Sequence, residues 1–201
     1  MLSKKTRVVM LAAVAVLMMS GCATDVKRLG IEEIKDLSGN WNDTDSRLVS
    51  DEMIKDSLSG AWIDRHEQKN NNKAPAVIVG NVRNLSHEHI NTRAFIADLE
   101  RAYVNSGRID VVASKAERDG IREERADMDL NASEESRKEM GKETGADYML
   151  IGSINSIIDA SGGEQIRFYQ VDLTLVSILD NRKVWTGQKK LKKDVKEAKF
   201  R

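Results

Sequence analysis

The chain has 201 residues, and its 32 lysine and arginine residues balance its 32 aspartate and glutamate residues. A chain of this length buries enough surface to form a core and predicts one main domain. The zero formal charge argues against a nucleic-acid-binding protein built on a basic field, and the single cysteine excludes a disulfide framework and a four-cysteine zinc site.

Residues 1–21 predict a lipoprotein signal peptide. Three basic residues at positions 4–7 precede an unbroken apolar run over residues 8–19, which is too short to span a bilayer as a helix and is typical of a secretory signal. Ser20-Gly21-Cys22 follows and resembles a bacterial lipobox. The resemblance implies cleavage before Cys22 and lipidation of its thiol, whereas an ordinary signal peptide and a buried N-terminal helix are the alternatives.

The residues after Cys22 predict a lipidated tether over residues 22–37 and a folded domain over residues 38–201. Without the first 21 residues, 29 basic residues face 32 acidic ones, a net charge of −3. The lipid rather than the charge is therefore the predicted membrane signal. Ala23 follows the cysteine, where aspartate is the inner-membrane retention signal of enteric bacteria; by that analogy we expect attachment to the periplasmic face of the outer membrane.

The first half of the domain predicts two helices around one buried strand. Short polar residues at 43–46 supply cap chemistry for a helix ending near residue 58, and the polar stretch 67–73 predicts a loop. The β-branched run 76–82 predicts a buried strand, with a loop at 84–89. Phe95, Leu99 and Tyr103 share the helical period that predicts a helix between Asn91 or Thr92 and residue 106.

The second half predicts mainly strands. A short strand at 109–113, an exposed charged helix at 114–128 and a helix at 133–141 precede three strands at about 148–158, 167–179 and 184–191. Tyr169, Val171, Leu173 and Leu175 alternate with polar residues, the period of a half-covered strand. We expect Trp185 to neighbour Tyr169, and the basic stretch 189–201 to be a solvated chain end. The predicted class is α+β, a mixed or antiparallel sheet with helices mostly on one face.

No phosphate-binding loop or nucleophile elbow occurs in the sequence, so no catalytic residue is assigned. A metal site at His87 and His89 is the weaker interpretation, because two ligands are too few and His66 would have to join them. No metal and no cofactor are predicted. The candidate partner-contact residues are Asn84, His87 and His89 near the end of the first strand, together with Trp41, for which a core position is the alternative.

Several segments of the chain resemble the LpoB family, outer-membrane lipoproteins that activate a bifunctional penicillin-binding protein. The resemblance is carried by residues 79–92 (VGNVRNLSHEHINT), 99–112, 141–154 (GKETGADYMLIGSI) and 169–176 (YQVDLTLV) with Val184-Trp185. The run GxxTGADY is the most specific of these. Residues 36–49 (DLSGNWNDTDSRLV) look like a sub-branch of the family without a long linker.

The resemblance implies a fold similar to the N-terminal domain of TolB and no enzymatic activity. It implies a protein that activates peptidoglycan synthesis by binding a penicillin-binding protein, expected as a monomer without nucleic acid. The alternative is a structural or export-associated lipoprotein of the curli-secretion CsgG type. The tether from Cys22 to Leu37 reaches at most ~50 Å at ~3.3–3.6 Å per residue, which limits access to a synthase of the inner membrane.

Overall fold

The computed structural model describes residues 27–30, 33–131 and 143–196. The predicted signal peptide, Cys22 and the predicted helix at 133–141 lie outside these residues. The chain divides into two units at residue 34, and the folded domain belongs to the second unit. In the first unit, the Glu33 backbone N–H donates to the Gly30 carbonyl at 3.0 Å. No helix within the described ranges is long and apolar enough to cross a membrane.

The described residues form four helices and five strands, which confirms the α+β class. The sheet has the order β2-β1-β3-β4-β5. Strands β2 and β3 pair parallel to β1, whereas β4 pairs antiparallel to both β3 and β5. The elements are α1 (Asp43–Ser59), α2 (Trp62–Lys69), β1 (Ala76–Leu85), α3 (Thr92–Ser106), β2 (Asp110–Val111), α4 (Lys115–Asn131), β3 (Tyr148–Ser161), β4 (Glu164–Ser177) and β5 (Lys183–Lys196).

The N-cap of helix α1 lies one residue before the cap residues 43–46 that the sequence predicts. Asn42 is the N-cap, and its side chain accepts from the Asp45 backbone N–H at 3.0 Å, while the Asp45 carboxylate accepts from the Asn42 N–H at 3.0 Å. This reciprocal pair is a capping box, which satisfies two backbone donors that the helix leaves open. The apolar residues Val49, Met53 and Ile54 of α1 are buried, whereas Leu48 is exposed.

Helix α2 corrects the prediction of a loop at 67–73. The helix runs from Trp62 to Lys69, and turns follow it. Its first residues, Trp62 and Ile63, are buried under α1 as expected. Burial of these two large side chains stabilises a helix of only eight residues whose remaining sequence is polar.

One face of the sheet carries the core, with helices α1, α2 and α3 on that face. Helix α1 packs against α3 and β5, and α3 packs against β1 and β2. The predicted helical period of α3 is confirmed, because Phe95, Leu99 and Tyr103 are all fully buried. The alternation of β4 is confirmed as well: the core-facing residues are buried, namely Tyr169, Val171, Leu173 and Leu175.

Three strand predictions are corrected by the pairing. Strand β1 continues to Leu85, so Asn84 lies in the strand, and β2 is only two residues long. Strand β5 continues to Lys196, so residues 189–196 are not a solvated chain end but pair along β4. Trp185 lies opposite Leu175 instead of Tyr169, and its indole Nε1 donates to the Asp56 carboxylate at 3.0 Å.

Candidate partner-binding site

Two of the candidate contact residues, Asn84 and His87, hold the loop that follows β1. The Asn84 amide donates to the Glu88 carbonyl at 2.7 Å, and its oxygen accepts from the Ser86 backbone N–H at 3.0 Å. The His87 backbone N–H and its Nδ1 both lie 2.9 Å from the Ser156 hydroxyl of β3. These bonds satisfy polar groups that a loop leaves without a sheet partner. The His87 and His89 side chains are exposed.

Glu88, which lies between His87 and His89, is the centre of this region. Its carboxylate accepts from the Tyr169 hydroxyl at 2.5 Å, the Arg167 guanidinium at 2.9 Å and the Trp41 backbone N–H at 2.9 Å. Burial acts to raise the pKa of Glu88, but these three donors and the charge of Arg167 lower it below its usual range. The carboxylate is therefore ionised near neutral pH. It acts as a hydrogen-bond acceptor that joins neighbouring segments of the domain.

Trp41 lies against the sheet next to Glu88. Its indole ring meets the Tyr169 ring edge-on at a centroid distance of 5.5 Å and an interplanar angle of 69°. The indole Nε1 donates to the Ser46 hydroxyl at 2.7 Å. Both the ring and its one polar atom are engaged within the domain, so the core alternative for Trp41 fits the structure better than an open contact surface.

Lys193 of β5 fixes the rest of residues 36–42, which we call the strap. Its ammonium group lies 2.6 Å from the Asp45 carboxylate, 3.0 Å from Asp36 and 3.1 Å from the Asn40 carbonyl. Burial acts to lower the pKa of Lys193, but these acceptors raise it above its usual value. The strap is thus bound to the domain at both Glu88 and Lys193, and it forms the first seven residues of the sub-branch motif at 36–49.

The strap also depends on a glycine. Gly39 has a φ of 67°, in the left-handed region, and a Cβ at this position would overlap the Val195 side chain. A residue without a side chain is therefore required where the strap passes over β5. The structure brings Trp41, Asn84 and His87 into one region, whereas His66 lies elsewhere, with its Nδ1 3.0 Å from the Tyr148 hydroxyl.

The specific GADY segment has a role at the other end of the strands. The Asp147 carboxylate accepts from the Ala76 backbone N–H at 2.9 Å, and the Asp147 N–H donates to the Ala76 carbonyl at 2.7 Å. The Asp147 carbonyl accepts from the Ile178 N–H at 2.9 Å. One residue therefore joins the start of β1, the start of β3 and the end of β4.

Sequence reasoning missed Glu88, Arg167 and Lys193 as organising residues. Arg167 carried a usable signal, because it occupies the core-facing phase of β4 two residues before Tyr169, where an unpaired charge is costly. Such an arginine predicts a carboxylate partner. The identity of that partner had no local signal, because Glu88 is 79 positions away.

The family model described as "Peptidoglycan-synthase activator LpoB" matches residues 45–191. This match covers well over half of the chain and nearly all of the folded domain. The chain belongs to the LpoB family. The matched residues include Asp147, whose carboxylate, backbone N–H and carbonyl each make one of the hydrogen bonds that join three strands of the sheet.

The chain is also similar to solved structures of bacterial proteins. The C-terminal domain of LpoB from Salmonella enterica is 17% identical, with a TM-score of 0.34, over 68% of this chain and 93% of that one. The NMR structure of Escherichia coli LpoB is 14% identical, with a TM-score of 0.40, over 88% and 84%. Lipoprotein GNA1162 from Neisseria meningitidis is 14% identical, with a TM-score of 0.39, over 60% and 83%. No curated protein matches the chain.

Proposed function

We propose that this LpoB-family protein is an outer-membrane lipoprotein, anchored through Cys22, that binds a bifunctional penicillin-binding protein and activates it without catalysing a reaction itself. The observation that carries the proposal is the match of the synthase-activator family model to residues 45–191. The lipobox-like Ser20-Gly21-Cys22 supports the anchor. Lipid chains contribute ~0.8 kcal/mol per buried CH₂, so several chains together hold a protein firmly at a membrane.

Activation by binding requires that the activator binds the active state of the synthase more tightly than the inactive state. A tenfold increase in the active population, while that state is still the minor one, needs a difference in binding free energy of about 1.4 kcal/mol. A rigid domain is suited to this role, because it loses little conformational freedom on binding. The described core and the fixed strap give the domain that rigidity.

The experiment measures glycan polymerisation by a purified bifunctional penicillin-binding protein from the same organism, with and without the acylated protein. We expect faster polymerisation and co-purification of the two proteins. A control reaction contains the acylated protein without the synthase, and we expect no polymerisation there. If no bifunctional penicillin-binding protein of the organism binds the protein or polymerises faster in its presence, the proposal is wrong.

A further inference from the structure

A basic groove lies at the end of the sheet where β3 begins and β4 ends. Its charged lining consists of four cations and two carboxylates, whereas the whole chain has no net charge. The side chains are Arg65, Lys69, Arg182, Lys183, Asp147 and Asp180. The net charge of this lining is therefore +2, which favours an acidic ligand surface.

The carboxylates of the groove are already engaged within the domain. Asp180 accepts from the Arg182 guanidinium at 2.6 Å, and Asp147 accepts from the Ala76 N–H at 2.9 Å. Among the residues that the structure describes, Arg65, Lys69 and Lys183 have no carboxylate within ion-pair distance, and the Arg65 Nε donates to the Ala61 carbonyl at 3.1 Å. Lys69 and Lys183 are therefore the groove cations most available for charges that another molecule brings.

The turn between β4 and β5 places two apolar side chains beside these cations. Ile178 is 49% exposed and Leu179 is 93% exposed. The backbone of the turn is fixed: Ile178 N–H donates to the Asp147 carbonyl at 2.9 Å, and Ser177 N–H donates to the Arg182 carbonyl at 2.8 Å. The exposure of these residues is thus a property of an ordered turn, and apolar side chains rimmed by charges are typical of an interaction site.

The groove and the strap lie at different ends of the sheet. The strap contacts Tyr169, and the groove begins at Ser177, eight positions further along β4. At ~3.3 Å per residue this separation is ~26 Å. A partner bound in the groove therefore does not have to displace the strap.

We propose that this groove is the docking site for an acidic segment of the activated synthase, with an apolar side chain of that segment on Leu179. The inference rests on the proposed function and names the surface that performs it. The acidic segment would pair with Lys69 and Lys183, and desolvation of Leu179 and Ile178 would add the apolar contribution.

The test measures the Kd between the full-length acylated protein in detergent and the full-length bifunctional penicillin-binding protein of the same organism. We expect Lys69→Glu with Lys183→Glu to weaken binding at least tenfold at low salt, because both changes oppose an acidic partner. Leu179→Ser should weaken binding about fivefold. This second variant removes no hydrogen bond or charge and, at 93% exposure, does not disturb the fold.

The matched control is Lys190→Glu with Lys192→Glu, which makes the same charge change on exposed residues of β5 outside the groove. We expect the control to bind within twofold of the unsubstituted protein. If the groove variants also bind within twofold, or the control weakens equally, the docking site is wrong while the proposed function stands. If the groove variants lose self-association or binding to phosphatidylglycerol vesicles instead, the groove serves a second copy or a lipid surface and the inference is overturned. If the synthase does not bind the unsubstituted protein at all, both proposals fail.

Discussion

Glu88 is a largely buried charge that the fold stabilises through an ion pair and hydrogen bonds. Its side chain and that of Arg167 are 13% and 17% exposed. Removing such charges from water costs several kcal/mol, and the cost is offset only when the remaining hydrogen-bonding positions are filled. Tyr169 and the Trp41 backbone N–H fill them. The arrangement ties the strap, the loop after β1 and strand β4 to a single carboxylate.

The first prediction concerns the charge of Glu88. The variant Glu88→Gln keeps the shape but leaves the Arg167 charge without its partner. We expect the free energy of unfolding to fall by about 1.5–3 kcal/mol, the range for hydrogen bonds to charged groups. Urea denaturation measures the change. The matched control is Glu52→Gln, because the Glu52 side chain is 59% exposed beside Lys189, and we expect a change of at most ~0.5 kcal/mol. Equal changes in both variants would contradict the role of Glu88.

The pH dependence of stability follows from the same residue. The folded pKa of Glu88 lies below its usual value of 4.5, so the unfolded chain takes up the proton first as the pH falls. The stabilisation by Glu88 is complete well above pH 4.5 and is lost as the pH falls through the folded pKa. We expect the stability difference between the unsubstituted protein and Glu88→Gln to shrink in that direction, as measured by urea denaturation across pH 3–7. A difference that stays constant over this range would contradict the ionised state of Glu88.

At the scale of elements, local periodicity predicted the helix and the strand that each bury one face in the core. The spacing of Phe95, Leu99 and Tyr103 predicts α3, and the alternation around Tyr169 predicts β4, because each pattern reports one buried face. Strand β5 lacks this signal after Leu191. Its core-side lysines, Lys189 and Lys193, are matched by carboxylates from distant parts of the chain. A local pattern does not reveal long-range ion pairs of this kind, so the strand predicted from the sequence ends too early.

The sequence grouped Asn84, His87 and His89 near the end of β1, and the structure brings Asn84 and His87 together with Trp41. Their contact with a partner stays a prediction. Their roles as internal hydrogen-bonding groups depend on Ser156 and Glu88, whose positions follow from sheet register. Register is set by pairing across the whole sheet and could not be derived from the loop sequence.

A prediction for the strap uses its glycine. In Gly39→Ala the new methyl group combines a left-handed φ with overlap on Val195, and we expect a loss of about 1–3 kcal/mol in the free energy of unfolding. The control Gly107→Ala has a φ of 63° but no neighbour within 4 Å, so it measures the backbone strain alone. Thermal unfolding compares the two. If Gly107→Ala costs as much as Gly39→Ala, packing of the strap on Val195 contributes nothing.

At the scale of the whole molecule, the anchor and the domain are proposed to act as separate parts. In Cys22→Ser no thiol is available for lipidation, so we expect the protein to leave the membrane fraction and to incorporate no labelled palmitate. The folded domain should keep its thermal stability, because the described core and the side chains packed against it begin at Trp41, well after Cys22. Cell fractionation and circular dichroism measure the two outcomes. A membrane-bound, palmitate-labelled Cys22→Ser protein would contradict the assigned anchor.

The strap has a mechanical consequence for an anchored chain. If the chain is anchored as proposed, tension on the anchor would reach the domain at residues 36–42, where Asp36 contacts Lys193 and Trp41 contacts Tyr169. Release of these seven residues would lengthen the tether by at most ~24 Å, the span of seven residues extended at ~3.4 Å each. The chain between the anchor and the sheet would thus extend under force while the hydrophobic core stays folded.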